Sequence, residues 1–167
     1  MGGDVGAIRP EALTPEGWEP FGWLPVADTD PADGSQRLSF AWGDVHVNLI
    51  GHHRDEVPSV AGGLRCQVLY RHATHTQALM PLDGAAVIVV AAAGAELDGP
   101  GNAQAIRAFT LPALTSVVLH RGTWHWGPYP VDGESVRLFN VQGLRYREDN
   151  DSVDLLARGM PVDVLLG

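Results

Sequence analysis

The sequence contains no lysine; all eleven of its basic residues are arginines. Schiff-base catalysis, a pyridoxal phosphate anchor and the lysine of a phosphate-binding loop are thereby excluded. Guanidinium keeps its proton at neutral pH, so acid–base chemistry falls to the seven histidines, the carboxylates or tyrosine. Cysteine is nearly absent too. Cys66 alone cannot form an internal disulfide, which rules out a disulfide-stapled fold, and it reads as a small apolar filler of a strand. Positive charge is outweighed, with a net charge of −9. A nucleic-acid or anionic-membrane binder would carry a basic surface, so neither partner is expected. Long apolar runs are missing as well: the longest, Ala85 to Ala93, has nine residues, about half a membrane span. The N-terminal Met1-Gly2-Gly3-Asp4 has no basic-then-apolar leader, and a cytoplasmic protein is the expectation.

What is present is punctuation. Twenty glycines and twelve prolines in 167 residues argue against a helix bundle, and the length suits a single domain over 1–167. Short β-type segments recur between turns. They span 23–27, 37–42, 45–50, 64–72, 76–82, 86–92, 105–111, 115–121, 124–126 and 136–142. Gly43-Asp44 reads as the turn of a hairpin joining 37–42 to 45–50. The apolar stretch 86–92 reads as a strand buried on both faces or central in its sheet, and Val87, Val89, Phe109 and Leu138 are expected in the core. Helix is confined to a turn at 15–21 and a short segment at 152–158 capped by Asp151 or Ser152. Roughly ten short strands in one domain predict an all-β sandwich or barrel, and a small barrel can hold one small ligand.

The histidines cluster. His72 and His75 lie in Tyr70-Arg71-His72-Ala73-Thr74-His75-Thr76-Gln77, and His120 and His125 in His120-Arg121-Gly122-Thr123-Trp124-His125-Trp126. Both clusters sit at strand–turn–strand junctions. Neutral imidazole can act there as acid, base or metal ligand near pH 7. His46 reads as a half-buried strand residue, and His52-His53-Arg54-Asp55 as an exposed loop.

Tyr70-x-His72-x4-Gln77-x6-Gly84 resembles the first cupin motif, with Tyr for its first His and Gln for its Glu. Gly122-x2-His125 resembles the core of the second. A closer likeness is to the ureidoglycolate lyase family within the cupins. It is carried by Arg71-His72-x3-Thr76-Gln77-Ala78-x2-Pro81-x2-Gly84, Arg107-Ala108-Phe109 and His120-Arg121-Gly122-Thr123-Trp124-His125, with Phe21-Gly22 and Asp149-Asn150 near the ends. The sequence departs from the family pattern at Tyr70, Asp83 and Gln142, and after His125, where Trp126-Gly127-Pro128 follows. The resemblance implies a cupin-like double-stranded β-helix barrel with minor short helices, a homodimer, and cleavage of ureidoglycolate to glyoxylate and urea in purine and allantoin degradation.

That reaction needs a base for the carbinol proton, an acid for the departing nitrogen and donors for a carboxylate. His72 and His125, with His120 as a third, are the candidates for acid–base work. Arg71 and Arg121 are the candidates for the substrate carboxylate, with Gln77, Tyr70 and Trp124 also lining the substrate. In a regular strand Arg71 points opposite to His72, and Arg121 opposite to His120, so both pairs cannot face one pocket unless a bulge re-aims one. As cupin ligands, His72, Gln77 and His125 would hold a divalent metal ion. The alternatives are a cupin enzyme for another small hydroxy acid and a non-catalytic small-ligand-binding cupin.

Overall fold

A computed structural model describes residues 6–144 and 147–167, so the N-terminal residues read for a leader lie outside the described part. In chain order the strands are β1 (Gly6–Ile8), β2 (Glu11–Ala12), β3 (Gly22–Trp23), β4 (Val45–His53), β5 (Ser59–Val60), β6 (Gly63–Cys66), β7 (Val68–Arg71) and β8 (Gln77–Pro81). They continue with β9 (Ala86–Ala91), β10 (Arg107–Leu111), β11 (Val117–Leu119), β12 (Trp124–Pro130), β13 (Ser135–Gly143), β14 (Asp151–Asp154) and β15 (Val162–Leu165). One α-helical turn, α1 (Pro15–Trp18), starts where Thr14 accepts from the Gly17 N–H at 3.0 Å and Pro15 occupies the first turn. It delivers Trp18 to the core, where the indole N–H donates to the Val118 carbonyl at 3.0 Å.

The strands form a six-stranded sheet (β14-β7-β12-β9-β10-β2), a five-stranded sheet (β3-β11-β8-β13-β4) and a four-stranded sheet (β1-β15-β6-β5). The six-stranded sheet is the middle layer, which accounts for the unbroken apolar run of β9. Val87, Val89 and Ala91 pack with Leu64, Cys66, Val162 and Val164 of the four-stranded sheet. Ile88 and Val90 pack on the other side with Leu79, Val117 and Leu119 of the five-stranded sheet. A strand apolar on both faces is stable only between two layers. Val87, Val89, Phe109 and Leu138 are all fully buried, as expected. The five- and six-stranded sheets make an all-β jelly-roll sandwich of the expected double-stranded type, without closing into one continuous barrel.

Several segments differ from the sequence expectation. The Gly43-Asp44 turn exists, with Gly43 at φ +68°, but 37–42 contributes only the isolated bridge of Phe40 to His75. The predicted hairpin gives way because β4 pairs in antiparallel register along its whole nine-residue length with β13. The segment 152–158 is not a helix. Its first part is β14, which satisfies the outer edge of β7 from Asp151↔Arg71 to Asp154↔Val68, and a helix this short cannot compete with a ready-made ladder. The strand expected at 23–27 ends at Trp23, after which Gln36 satisfies the backbone of Leu24 and Val26 from the side.

Candidate active site

A cavity of about 350 Å³ opens between the five- and six-stranded sheets. The six-stranded sheet contributes Tyr70 of β7 and His125, Trp126 and Tyr129 of β12; the five-stranded sheet contributes Asn48 and His52 of β4, Gln77 of β8 and Gln142 of β13. His72, just past β7, and Asn150, just before β14, complete the wall. Tyr70 and His125 are direct register partners, so the two histidine-bearing motifs meet through the β7–β12 ladder.

His125 is buried and its Nδ1 lies 3.1 Å from the Thr123 carbonyl; His72 Nδ1 lies 2.9 Å from the Asp149 carbonyl. A carbonyl can only accept, so both rings carry their proton on Nδ1 and keep a lone pair on Nε2. Their centroids are 5.4 Å apart. Burial, reinforced by the neighbouring His72, pushes the His125 pKa down to about 4. Burial also lowers that of His72, so both imidazoles are neutral at pH 7. His75 stacks on His72 at 4.6 Å, with its Nδ1 3.4 Å from the Asp149 carboxylate. It too is pushed down to about 4 by burial and by His72. The seat of His75 requires Gly143, because a Cβ there would meet its Nδ1 at 2.7 Å. Asp149 is the pin of this corner, accepting from the backbone N–H groups of Ala73 and Thr74 and from the Thr74 hydroxyl.

Across the cavity runs a chain of amides. Gln77 Nε2 donates to Asn140 Oδ1 at 2.8 Å, and Asn140 Nδ2 donates to Asn48 Oδ1 at 2.7 Å. This orientation leaves Gln77 Oε1 buried with no partner. An unpaired buried acceptor costs about 1–3 kcal/mol, and a ligand N–H or a cation would relieve it.

The structure therefore brings Tyr70, His72, Gln77 and His125 to one cavity. Four other expected site residues lie outside its wall. Arg71 alternates away from Tyr70 and His72; it pairs with Asp151 at 3.1 Å and lies 4.4 Å over the Trp124 ring, on the opposite face of β12 from His125. Arg121 donates to Ser39 Oγ at 2.5 Å. His120 packs its ring 5.6 Å from that of Trp23, with Nε2 3.3 Å from the Glu19 carbonyl. No bulge re-aims either arginine: the one register shift of β12 falls between Trp126 and Tyr129.

Sequence reading also missed residues. His52 was expected on a loop, yet it is the penultimate residue of β4 and lines the cavity. The missed signal is alternation, since Asn48, Ile50 and His52 share one face with His46. Tyr129 and Asn150 also reach the cavity, and no motif pointed to them.

The all-β jelly roll with an imidazole-lined cavity between its sheets defines the fold class as cupin-like. The chain belongs to the ureidoglycolate lyase family, whose model, described as ureidoglycolate lyase, matches residues 32–160. Similar solved structures include recombinant oxalate oxidase in complex with glycolate, at 17% identity and a TM-score of 0.43, with 66% of this chain and 46% of that one covered. Oxalate decarboxylase from Bacillus subtilis at pH 4.6 is 13% identical with a TM-score of 0.42, over 81% of this chain and 28% of that one. The chain thus spans less than half the length of these two proteins. A comparison with curated proteins gives no match. Among the described residues no helix is long and apolar enough to cross a membrane.

Proposed function

We propose that this chain cleaves ureidoglycolate to glyoxylate and urea, a carbon–nitrogen lyase of the amidine-lyase type acting in allantoin catabolism. The observation that carries the reading is the pair of neutral imidazoles, His72 and His125, facing one cavity beside the orphaned oxygen of Gln77. One Nε2 lone pair accepts the carbinol proton as the C–N bond breaks and the C=O bond forms. The electron pair of the broken bond goes to the departing nitrogen, which takes up a proton to give urea. Gln77 Oε1 accepts from an N–H of the ureido end. Among the described residues no arginine lines the cavity, so the substrate carboxylate is held by neutral donors. The amides of Asn48 and Asn150 and the hydroxyls of Tyr70 and Tyr129 line the wall for this purpose. Burial pushes the Tyr129 pKa up to about 12, which keeps its hydroxyl a donor at all working pH values.

A divalent cation in this cavity would be held by His72 and His125 Nε2 and Gln77 Oε1, and it would supply Lewis-acid polarisation of the carbinol oxygen. All three donors are neutral, and no described carboxylate lines the wall. Such a set binds a divalent cation weakly. The proton transfers therefore rest on the chain's own groups.

The protein is proposed to act as a homodimer in the cytoplasm, where the buried Cys66 thiol stays reduced. The outer face of the edge strand β4 presents Val45, Val47 and Leu49 at 51%, 59% and 60% exposure, an apolar row that a second copy would cover. The test is incubation of the purified protein with ureidoglycolate, with glyoxylate and urea assayed before and after chelation. Equimolar release at an unchanged rate after chelation is expected, and no release overturns the reading.

A further inference from the structure

The cavity holds a third imidazole whose backing differs from the other two. His52 Nδ1 lies 2.9 Å from Glu56 Oε2, and Glu56 Oε1 accepts the His53 backbone N–H at 2.7 Å. Both carboxylate oxygens of Glu56, on the turn that follows β4, are thus fixed by the end of that strand. Although desolvation works against ionisation, these hydrogen bonds hold the Glu56 carboxyl below the usual range, so it is an anion at neutral pH. The other flank of the ring packs 4.9 Å from that of Tyr129, itself 4.5 Å from Trp126. His52 is therefore clamped between an aromatic wall and a carboxylate. With Nδ1 turned to Glu56, Nε2 is the nitrogen left to exchange a proton in the cavity.

We infer that His52 is the general acid of the reaction, with Glu56 as its positioning residue. The inference rests on the lyase reading above and assigns the second half of the proton transfer. His72 and His125 are backed by carbonyls and suit proton acceptance. His52 alone among the cavity imidazoles is backed by a carboxylate, which pairs ionically with the ring once it carries a proton. The step balances as follows. The carbinol proton passes to the Nε2 of His72 or His125 and the O–H electrons form the C=O bond. The C–N electrons stay on nitrogen, and His52 Nε2–H gives that nitrogen its proton. Exchange with water then reprotonates His52 and deprotonates the acceptor. Two groups in environments of opposite character supply the two roles, a common arrangement for acid–base pairs.

The test compares wild type, His52→Gln, His52→Ala, Glu56→Gln and Glu56→Asp on ureidoglycolate, with melting temperatures to confirm folding. The expected result is a fall in kcat of about 10²–10⁴-fold for His52→Gln. Added imidazole should restore at least about tenfold of the His52→Ala rate, a rescue that a purely structural role for the ring would not give. Glu56→Gln should lower kcat about tenfold or more with KM unchanged, and Glu56→Asp should recover part of it. Should His52→Gln fail to fold, the Glu56 pair and the imidazole rescue decide the matter alone. An active wild type with kcat within twofold in both His52→Gln and Glu56→Gln overturns the inference and leaves the lyase reading standing. A wild type that releases no glyoxylate overturns both.

Discussion

Acid should loosen this protein through His125 before most carboxylates titrate. In the folded chain the buried ring takes up its proton only near pH 4, whereas in the unfolded chain it does so near 6.5. Between these values the unfolded chain binds more protons. Stability therefore falls as the pH drops through that window and the contribution levels off below it. The gap from 6.5 to about 4 is worth about 3 kcal/mol, at about 1.4 kcal/mol per tenfold. For a chain of this size that is roughly 6–12 °C in Tm. His72 and His75 shift in the same direction and steepen the loss. The assay is thermal unfolding at half-unit steps from pH 7 to 4.5, for wild type and for His125→Gln, which keeps an N–H for the Thr123 carbonyl but has no proton to take up. The variant should lose a clearly smaller part of its Tm over that range. If the two curves run parallel, the burial argument for His125 is refuted, and with it the claim that the ring is a neutral proton acceptor at pH 7.

Three further outcomes are expected. His125→Ala should abolish glyoxylate release while circular dichroism stays unchanged, and His53→Ala, on the exposed side of β4, should leave the rate within twofold. Gln77→Leu should raise KM for ureidoglycolate by about tenfold or more through loss of the acceptor for the ureido N–H, and should change stability in denaturant titration by less than about 1 kcal/mol, because removing the orphaned Oε1 offsets the donor that Asn140 Oδ1 loses. If the proposed dimer forms through β4, Leu49→Asp should convert it to a monomer in light scattering, and an unchanged mass would remove the β4 face from the interface.

Much of the framework was legible because it rests on punctuation and on apolar runs. The strands around residues 77–81, 86–91, 107–111 and 135–143 follow from Gly, Pro and Asp turns and from β-branched residues, and the two motifs that meet at Tyr70↔His125 could be matched to a family. What was not legible is decided by long-range pairing. Whether 45–53 pairs with 37–42 or with 135–143 depends on which partner is longer and better matched, and local turn chemistry favoured the nearer one. Asp151–Asp154 has a helix cap in sequence and an unfilled β7 edge in space, and the edge wins. The arginines misled for a related reason. Arg71 and Arg121 stand beside histidines in the chain, but neighbours on a strand face opposite ways, and their charge is used on Asp151, Trp124 and Ser39.

Strand β4 shows what alternation can and cannot decide. Its period of two is perfect, with Val45, Val47 and Leu49 on one face and His46, Asn48, Ile50 and His52 on the other. The ordinary rule would bury the apolar row. Here that row is outside and the polar one inside, because the inner surface at this end of the sandwich is the wall of the cavity rather than the apolar core. A slip of one residue in the β4–β13 register would bury the valines but expel Asn48 and His52 from the site. The nine-residue pairing with β13 and the Asn140–Asn48 hydrogen bond both oppose that slip. The cost is an exposed apolar row on an edge strand, which a lone monomer would carry as an aggregation hazard. A polar face turned inward and an apolar face turned outward are thus one feature read twice. The first marks β4 as a strand of the site, and the second marks it as the face that the proposed second copy would cover.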